Sequence, residues 1–208
     1  MNAIKGAFAR HPVLFNSIVG YSVFASGDVM AQRLDLTSEA GASAEWKWDH
    51  KRSLSIGLLG IVQNGFLLRI WYRTLDKFVA PKTDLMSVLK KIACDEAVFA
   101  PQLACSYLAT SAYIQSPGDW NAVSDNVQNK VVTTWQNDLK LWPMANLIGF
   151  SLVPRPMRPL YASGVQLIWQ CYLSSTSFAG SAGDEATGAA VTAVTTAVQT
   201  EITNPHLP

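Results

Sequence analysis

The chain has 208 residues, of which 49% are hydrophobic and 15% charged, with a formal net charge of +1. Soluble proteins carry about 25% charged residues, so the balance tilts toward a membrane, and the length allows one or at most two domains. A near-neutral chain with no basic stripe offers nucleic acid no electrostatic footprint.

The opening MNAIKGAFARHP carries Lys5 and Arg10 and no acid, and it lacks a small-residue cleavage site. That pattern fits direct import into an organelle membrane better than a cleaved signal. Four long uncharged runs follow: Pro12 to Gly27, Ser53 to Leu68, Ala97 to Gly118 and Pro159 to Gly183. Each is near or just under the ~20 residues of a transmembrane helix, and flanking residues and tilt extend the usable length. Their Gly, Ser, Ala and Thr allow close helix approach in lipid. The expected fold is all-α: a polytopic membrane helix bundle of about four spans, with residues 1–177 as a single membrane-embedded domain. Residues 178–208 form a small-residue C-terminal extension.

Trp46, Trp48, Trp71, Trp120, Trp135 and Trp142 lie at or between the ends of the runs, and Trp169 lies inside one. Placement at run ends suits the headgroup layer, although each ring also suits a core. After the third run, Trp120, Val123, Val127, Val131, Trp135, Leu139 and Trp142 recur at steps of three or four. This spacing predicts an amphipathic helix along the membrane interface, N-capped by Asp119. Next comes LWPMANLIGFSLVPRPMRP, where only ten residues separate Pro143 from Pro154. They are too few to span, so the expectation is a short half-span helix begun by Pro143 and ended before Pro154. Basic residues divide almost evenly between the two sides of such a bundle, so the positive-inside rule assigns no orientation.

Ionisable residues at membrane depth are costly and point to function. The candidates for a pore or polar network are Asp28, Arg69, the pair Asp95 and Glu96, and Arg158 after the short run, with Asn146 among the uncharged polar groups beside Gln63, Asn64 and Gln166. One reading pairs Asp28 with Arg69 as a buried ion pair that fixes helix register. The other lines a water-filled path with these groups. Pro101, Pro143 and Pro154 are candidate kinks or hinges, with Pro101 expected to bend the third span. Cys94, Cys105 and Cys171 sit in apolar stretches without a CxxC pair and read as buried thiols. His11, His50 and His206 are too scattered for a zinc site or a catalytic dyad, so no metal, cofactor or catalytic residue is expected. Adjacent in sequence, Asp95 and Glu96 should point to different sides of a helix and not share one substrate.

The order of SGDVMAQ, WYRTLD, DEAVFAP and LWPMANLIGFSLVP, followed by Arg158 and IWQCYLS, resembles the Mpv17/PMP22 family of small organellar membrane proteins. The resemblance covers roughly His11 to Ser174. By position, Asp28, Trp71, Tyr72, Asp95, Pro101, Trp142, Pro143, Phe150, Pro154, Arg158, Trp169 and Tyr172 match its pattern. It implies a bundle of about four helices in the mitochondrial inner membrane, or alternatively a peroxisomal or plastid membrane. It further implies a weakly selective small-solute channel serving organelle homeostasis. Gly65-Phe66 stands where the family has Gly-Pro, Asp95-Glu96 where it has Asp-Gln, and Asn146 and Gly149 where it has Gln and Asn. The alternative function is a non-transporting accessory or scaffold subunit. The expected partners are the lipid bilayer and a larger membrane complex or homo-oligomer, and no enzyme activity is expected.

Overall fold

The computed structural model describes residues 11–39, 47–79, 85–153 and 158–178, and no strand occurs among them. The first helix, α1, is Pro12–Glu39. Helix α2 (His50–Gly60) continues through a π-helical stretch at Ile61–Leu67 into α3 (Leu68–Thr74) and a second at Leu75–Val79, so that 50–79 is one rod. Helix α4 (Leu85–Cys94) joins α5 (Ala100–Gln115) through a third π-helical stretch, Asp95–Phe99, to make a second rod. Helices α6 (Trp120–Ser151) and α7 (Arg158–Phe178) complete the described chain. Trp46, Pro154 and most of the expected C-terminal extension lie outside the described residues, as does the side chain of Arg158.

Capping residues set several of these boundaries. Asp49 caps α2, its carboxylate accepting from the Arg52 amide at 3.0 Å. Asp119 caps α6 as expected, accepting from the amides of Asn121 and Ala122 at 3.1 Å each. The reversal between α5 and α6 needs a left-handed residue, and Gly118 supplies it with φ 86°. At the far end of α7 the carbonyls left without helical partners are taken by side chains. Lys130 donates to the Thr176 carbonyl at 2.7 Å and Gln115 to that of Ser177 at 3.1 Å.

The short proline-bounded helix is corrected: α6 runs unbroken from Trp120 to Ser151, with Pro143 inside it. The interfacial helix and the half-span helix are therefore one element. A proline there removes one amide donor and crowds the carbonyl one turn back. Here the Pro143 ring is exposed, while Leu141 and Ala145 on either side are buried and hold the helix across the defect. Pro101, expected mid-span, lies inside the second rod, directly after the π-helical stretch. The discontinuity ahead of it is the π-helical stretch, where the Ala100 amide reaches back five residues to the Asp95 carbonyl.

Helix α1 is the central element, packed most closely against α2 and α7. Glycines permit this approach. A methyl group on Gly20 would land on the Gly60 carbonyl oxygen and one on Gly60 on that of Gly20, so neither position admits a side chain. On the α7 side, a Cβ on Gly27 would lie 2.5 Å from that of Gln170. One core joins the elements: Phe24, Ile56, Tyr107, Leu141, Trp169, Tyr172 and Leu173 come from α1, α2, α5, α6 and α7.

Across this packing runs a polar clasp centred on Asp28, which is fully buried. One carboxylate oxygen accepts from Arg52 Nε at 2.7 Å and Ser174 Oγ at 2.5 Å. The other accepts from Gln32 at 2.7 Å and Ser53 at 2.6 Å. Arg52 also donates to Ser174 at 2.8 Å, and its guanidinium lies 3.7 Å from the centre of the Phe178 ring. Gln32 accepts from the Asp49 amide at 2.9 Å, tying α1 to the start of α2. The cation that neutralises Asp28 is therefore Arg52 and not Arg69.

The outer surface is suited to lipid. Leu54, Leu58, Val62, Phe66 and Ile70 recur every four residues along the first rod, each about half exposed or more. The stripe is about 24 Å long at 1.5 Å per residue. Among the described residues two helices are long and apolar enough to cross a membrane, Pro12–Leu34 with 23 residues and His50–Phe78 with 29. They reach roughly 35 and 43 Å, beyond the ~30 Å hydrocarbon core.

Arg52→Ala leaves a buried carboxylate without its cation and should cost about 3–5 kcal/mol, read as a lower melting temperature in detergent. Asp28→Asn combined with Arg52→Met should melt above that single variant. Gly60→Val should likewise lower the melting temperature sharply, whereas Pro143→Ala, which restores an amide donor in a continuous helix, should not.

Candidate functional site: an acidic central cavity

A cavity of about 400 Å³ lies at the centre of the bundle. Every one of the five rods contributes to its wall: Val19, Val23 and Phe24 from α1, Gln63, Asn64, Leu68 and Tyr72 from the first rod, Asp95, Glu96 and Phe99 from the second, Asp138, Trp142 and Asn146 from α6, and Gln166, Trp169 and Gln170 from α7. No lysine, arginine or histidine lines it among the described residues. Its charged groups are three carboxyls, Asp95, Glu96 and Asp138.

The second rod brings two of these to one wall, both within the π-helical stretch Asp95–Phe99. Adjacent residues of an α-helix diverge by about 100°, since 3.6 residues fill one turn. In the π-helical stretch Asp95–Phe99 the turn is wider and the divergence smaller. The expectation that Asp95 and Glu96 point apart is thus corrected, and both face the same space.

Indole groups fix this wall. Trp71 donates from Nε1 to Asp95 at 2.7 Å and stacks on Phe99, with ring centres 5.1 Å apart and planes within 3°. Trp135 donates to the Glu96 backbone carbonyl at 2.7 Å. Opposite, Asp138 and Trp142 line the same cavity as Glu96. A carboxylate is acceptor-only, so two ionised carboxylates cannot bond each other directly. Two ionised carboxylates in one cavity repel each other, and a proton or a cation relieves the repulsion.

Two buried acceptors face no donor. Glu96 Oε2 and Gln170 Oε1 have no hydrogen-bond partner, and the Gln170 side chain is only 2% exposed. Gln63, also buried, donates from Nε2 to Ser106 Oγ at 2.7 Å and to the Leu103 carbonyl at 3.3 Å.

Of the residues singled out in the sequence, Asp95, Glu96 and Asn146 meet in the cavity. Asp28 lies apart in the clasp, and Arg69 is half-buried on the first rod, outside the cavity lining. Pro101 is not among the residues that line the cavity, and Pro143 is exposed on the outside of α6. The residue that sequence reasoning missed is Asp138. It shares a face with Thr134, Leu141 and Ala145, all buried at steps of three or four, and an acid on a buried stripe was the available signal. The tryptophans divide as well: Trp48 and Trp120 are exposed at 50% and 71%, whereas Trp71, Trp135 and Trp142 serve the acidic wall.

Comparison with known proteins agrees with this architecture. The model of the Mpv17/PMP22 family matches residues 114–174, which cover most of α6 and α7. PXMP2/4 family protein 2 of Dictyostelium discoideum is 30% identical over 173 residues, 83% of this chain and 88% of the relative. Protein sym-1 of Neurospora crassa is 28% identical over 171 residues, 82% and 94% of the two chains. Mitochondrial inner membrane protein Mpv17 of Drosophila melanogaster is 31% identical over 132 residues, 62% and 76%. No solved structure matches the chain significantly. With that identity sustained over most of both chains, on a helical bundle faced with lipid-suited side chains, the chain belongs to the Mpv17/PMP22 family and is a protein of an organelle membrane.

Proposed function

We propose that the protein is a weakly selective channel for small solutes that contributes to the homeostasis of its organelle, and that it catalyses no reaction. The observation that carries this reading is the central cavity, with three carboxyls and no described base in its wall. Polar groups inside a membrane bundle are retained where they meet a permeating species or water. A ring of acids favours cations over anions.

In this reading α1 and the first rod supply two spans, and the second rod and α7 complete about four. Helix α6 lays its polar first half toward the membrane surface and brings its second half, with Asp138 and Asn146, into the cavity wall. The clasp around Asp28 is the frame that holds the wall in place and not the path itself.

Purified protein in planar bilayers should conduct small ions with a preference for cations. Replacing Asp95 and Asp138 by Asn should reduce the cation-to-anion permeability ratio several-fold, read as a shift in reversal potential under a salt gradient. A bilayer silent at several voltages and pH values would overturn the channel. Silence together with migration in a large assembly on native gels would instead support an accessory subunit of a membrane complex.

A further inference from the structure

The wall of the central cavity occupies only one half of the bundle. The clasp marks one end, where the later part of α1, the start of α2 and the end of α7 meet. Gln115 and Lys130, through their bonds to the Ser177 and Thr176 carbonyls, bring the reversal between α5 and α6 to that same end. On every element the lining stops short of it. Along α1 the lining reaches Phe24, about one turn before Asp28, and along the first rod it begins at Gln63, past Arg52 and Ile56. It ends at Ala104 on α5, begins at Asp138 on α6 and ends at Leu173 on α7. Toward the opposite end of the bundle two lining residues are exposed: Tyr72, at 48%, late in the first rod, and Ala162, early in α7.

Between the lining and the clasp end lies a closed floor. Phe24 and Leu173 line the cavity there and are buried, and Tyr107 packs against Phe24 with ring centres 6.3 Å apart. Beyond them Ile56, Leu108 and Ser111 are fully buried. An apolar constriction bars ions and polar solutes because water does not persist in it. We propose that the cavity is a vestibule entered from one membrane face, the face where the first rod ends and α7 begins, and that the Phe24–Tyr107 contact is the gate separating it from the other face. Phe24 belongs to the helices that the clasp binds together, whereas Tyr107 comes from α5, which supplies none of the four described partners of Asp28. The gate can therefore part while α1, α2 and α7 stay clasped. This inference rests on the reading of the cavity as a solute path and names how passage through it is controlled.

The test is thiol labelling of the full chain in right-side-out and inverted vesicles of its own membrane, in a background carrying Cys94→Ala, Cys105→Ala and Cys171→Ala. The probe is trimethylammonioethyl methanethiosulfonate, a small cationic thiol reagent that does not cross lipid. Lys77→Cys and Lys51→Cys, both at exposed positions near opposite ends of the first rod, report the mouth face and the clasp face. Ala162→Cys should react from the Lys77 face only. Ser111→Cys, about one turn beyond Tyr107, should react from that face at least about tenfold more slowly, as a site reached only in a minor open state. Adding Phe24→Ala or Tyr107→Ala should bring Ser111→Cys close to the rate of Ala162→Cys. Labelling of Ala162→Cys from the Lys51 face or from neither face would overturn the proposal, as would Ser111→Cys reacting as fast as Ala162→Cys with both rings in place. Continued protection of Ser111→Cys in both correctly folded ring variants would overturn the gate. The single-cysteine series keeps both rings, so misfolding of a ring variant does not protect the proposal. The expected labelling in a protein that conducts nothing would remove the channel and leave the one-sided vestibule standing. Conduction with Ser111→Cys freely labelled would do the reverse.

Discussion

The Asp28 carboxylate sets the arrangement of the bundle. It is fully buried, and burying a bare carboxylate in an apolar interior carries a penalty that only close pairing and full hydrogen bonding offset. Its four partners, Gln32, Arg52, Ser53 and Ser174, come from α1, α2 and α7, so the charge is satisfied only when those helices meet in one register. Apolar packing alone does not define such a register, because in lipid the alternative environment of each side chain is equally apolar. Gly20 and Gly60 bring the α1 and α2 backbones into contact, and the clasp decides where along their length that contact falls. Arg52 has a second hold on the Phe178 ring, so its position also marks where α7 ends.

With those helices fixed, the central space is bounded on one side by a frame that does not yield. The opposite side is built from the second rod and α6, which pack closely on each other. The π-helical stretch at Asp95–Phe99 lies in this wall, and such stretches often mark functional positions because they turn side chains out of α-helical register. Here the effect is concrete: two consecutive acids face one cavity. Trp71 and Trp135, on two different elements, grip the stretch from its side chain and its backbone, so the irregular turn is held from outside itself.

Much of the fold could be read in the sequence. The uncharged runs locate α1, the first rod, α5 and α7, and the Asp119 cap locates the start of α6. The breaks were harder to read. Pro143 looked like a boundary because a proline inside a helix is costly in isolation, yet Leu141 and Ala145 are anchored in the core and carry the helix past it. Three-residue and four-residue spacing found the stripe of α6 but sorted it by polarity, and so it favoured Trp135 and Leu139 over Thr134 and Asp138. The buried face is polar in part because it fronts an acidic cavity and not an apolar core. Asp28 stood out as a charge at depth, but its partner did not, since Arg52 lies 24 residues away and Ser174 lies 146 away. Such separations carry no local signal. The π-helical stretches are likewise a product of packing, as no residue type demands them.

The departures from the family pattern bear on the chemistry of this wall. Where the resemblance implies Gln beside Asp95, this chain has Glu96, which lines the cavity together with Asp138 and has one carboxylate oxygen buried without a hydrogen-bond partner. A glutamine there would bring its own amide donors, which could engage Asp138 directly and leave the pair with one negative charge fewer. With Glu96 the same contact requires a positive charge from elsewhere. One side chain thereby adds a third carboxyl to a wall that already holds Asp95 and Asp138. The clasp around Asp28 is untouched by this difference, since its charge is balanced within the protein by Arg52. Frame and cavity are therefore separable: the first closes its own charge balance through Arg52, and the second has only acids among its charged groups and takes its balance from protons or from what enters it.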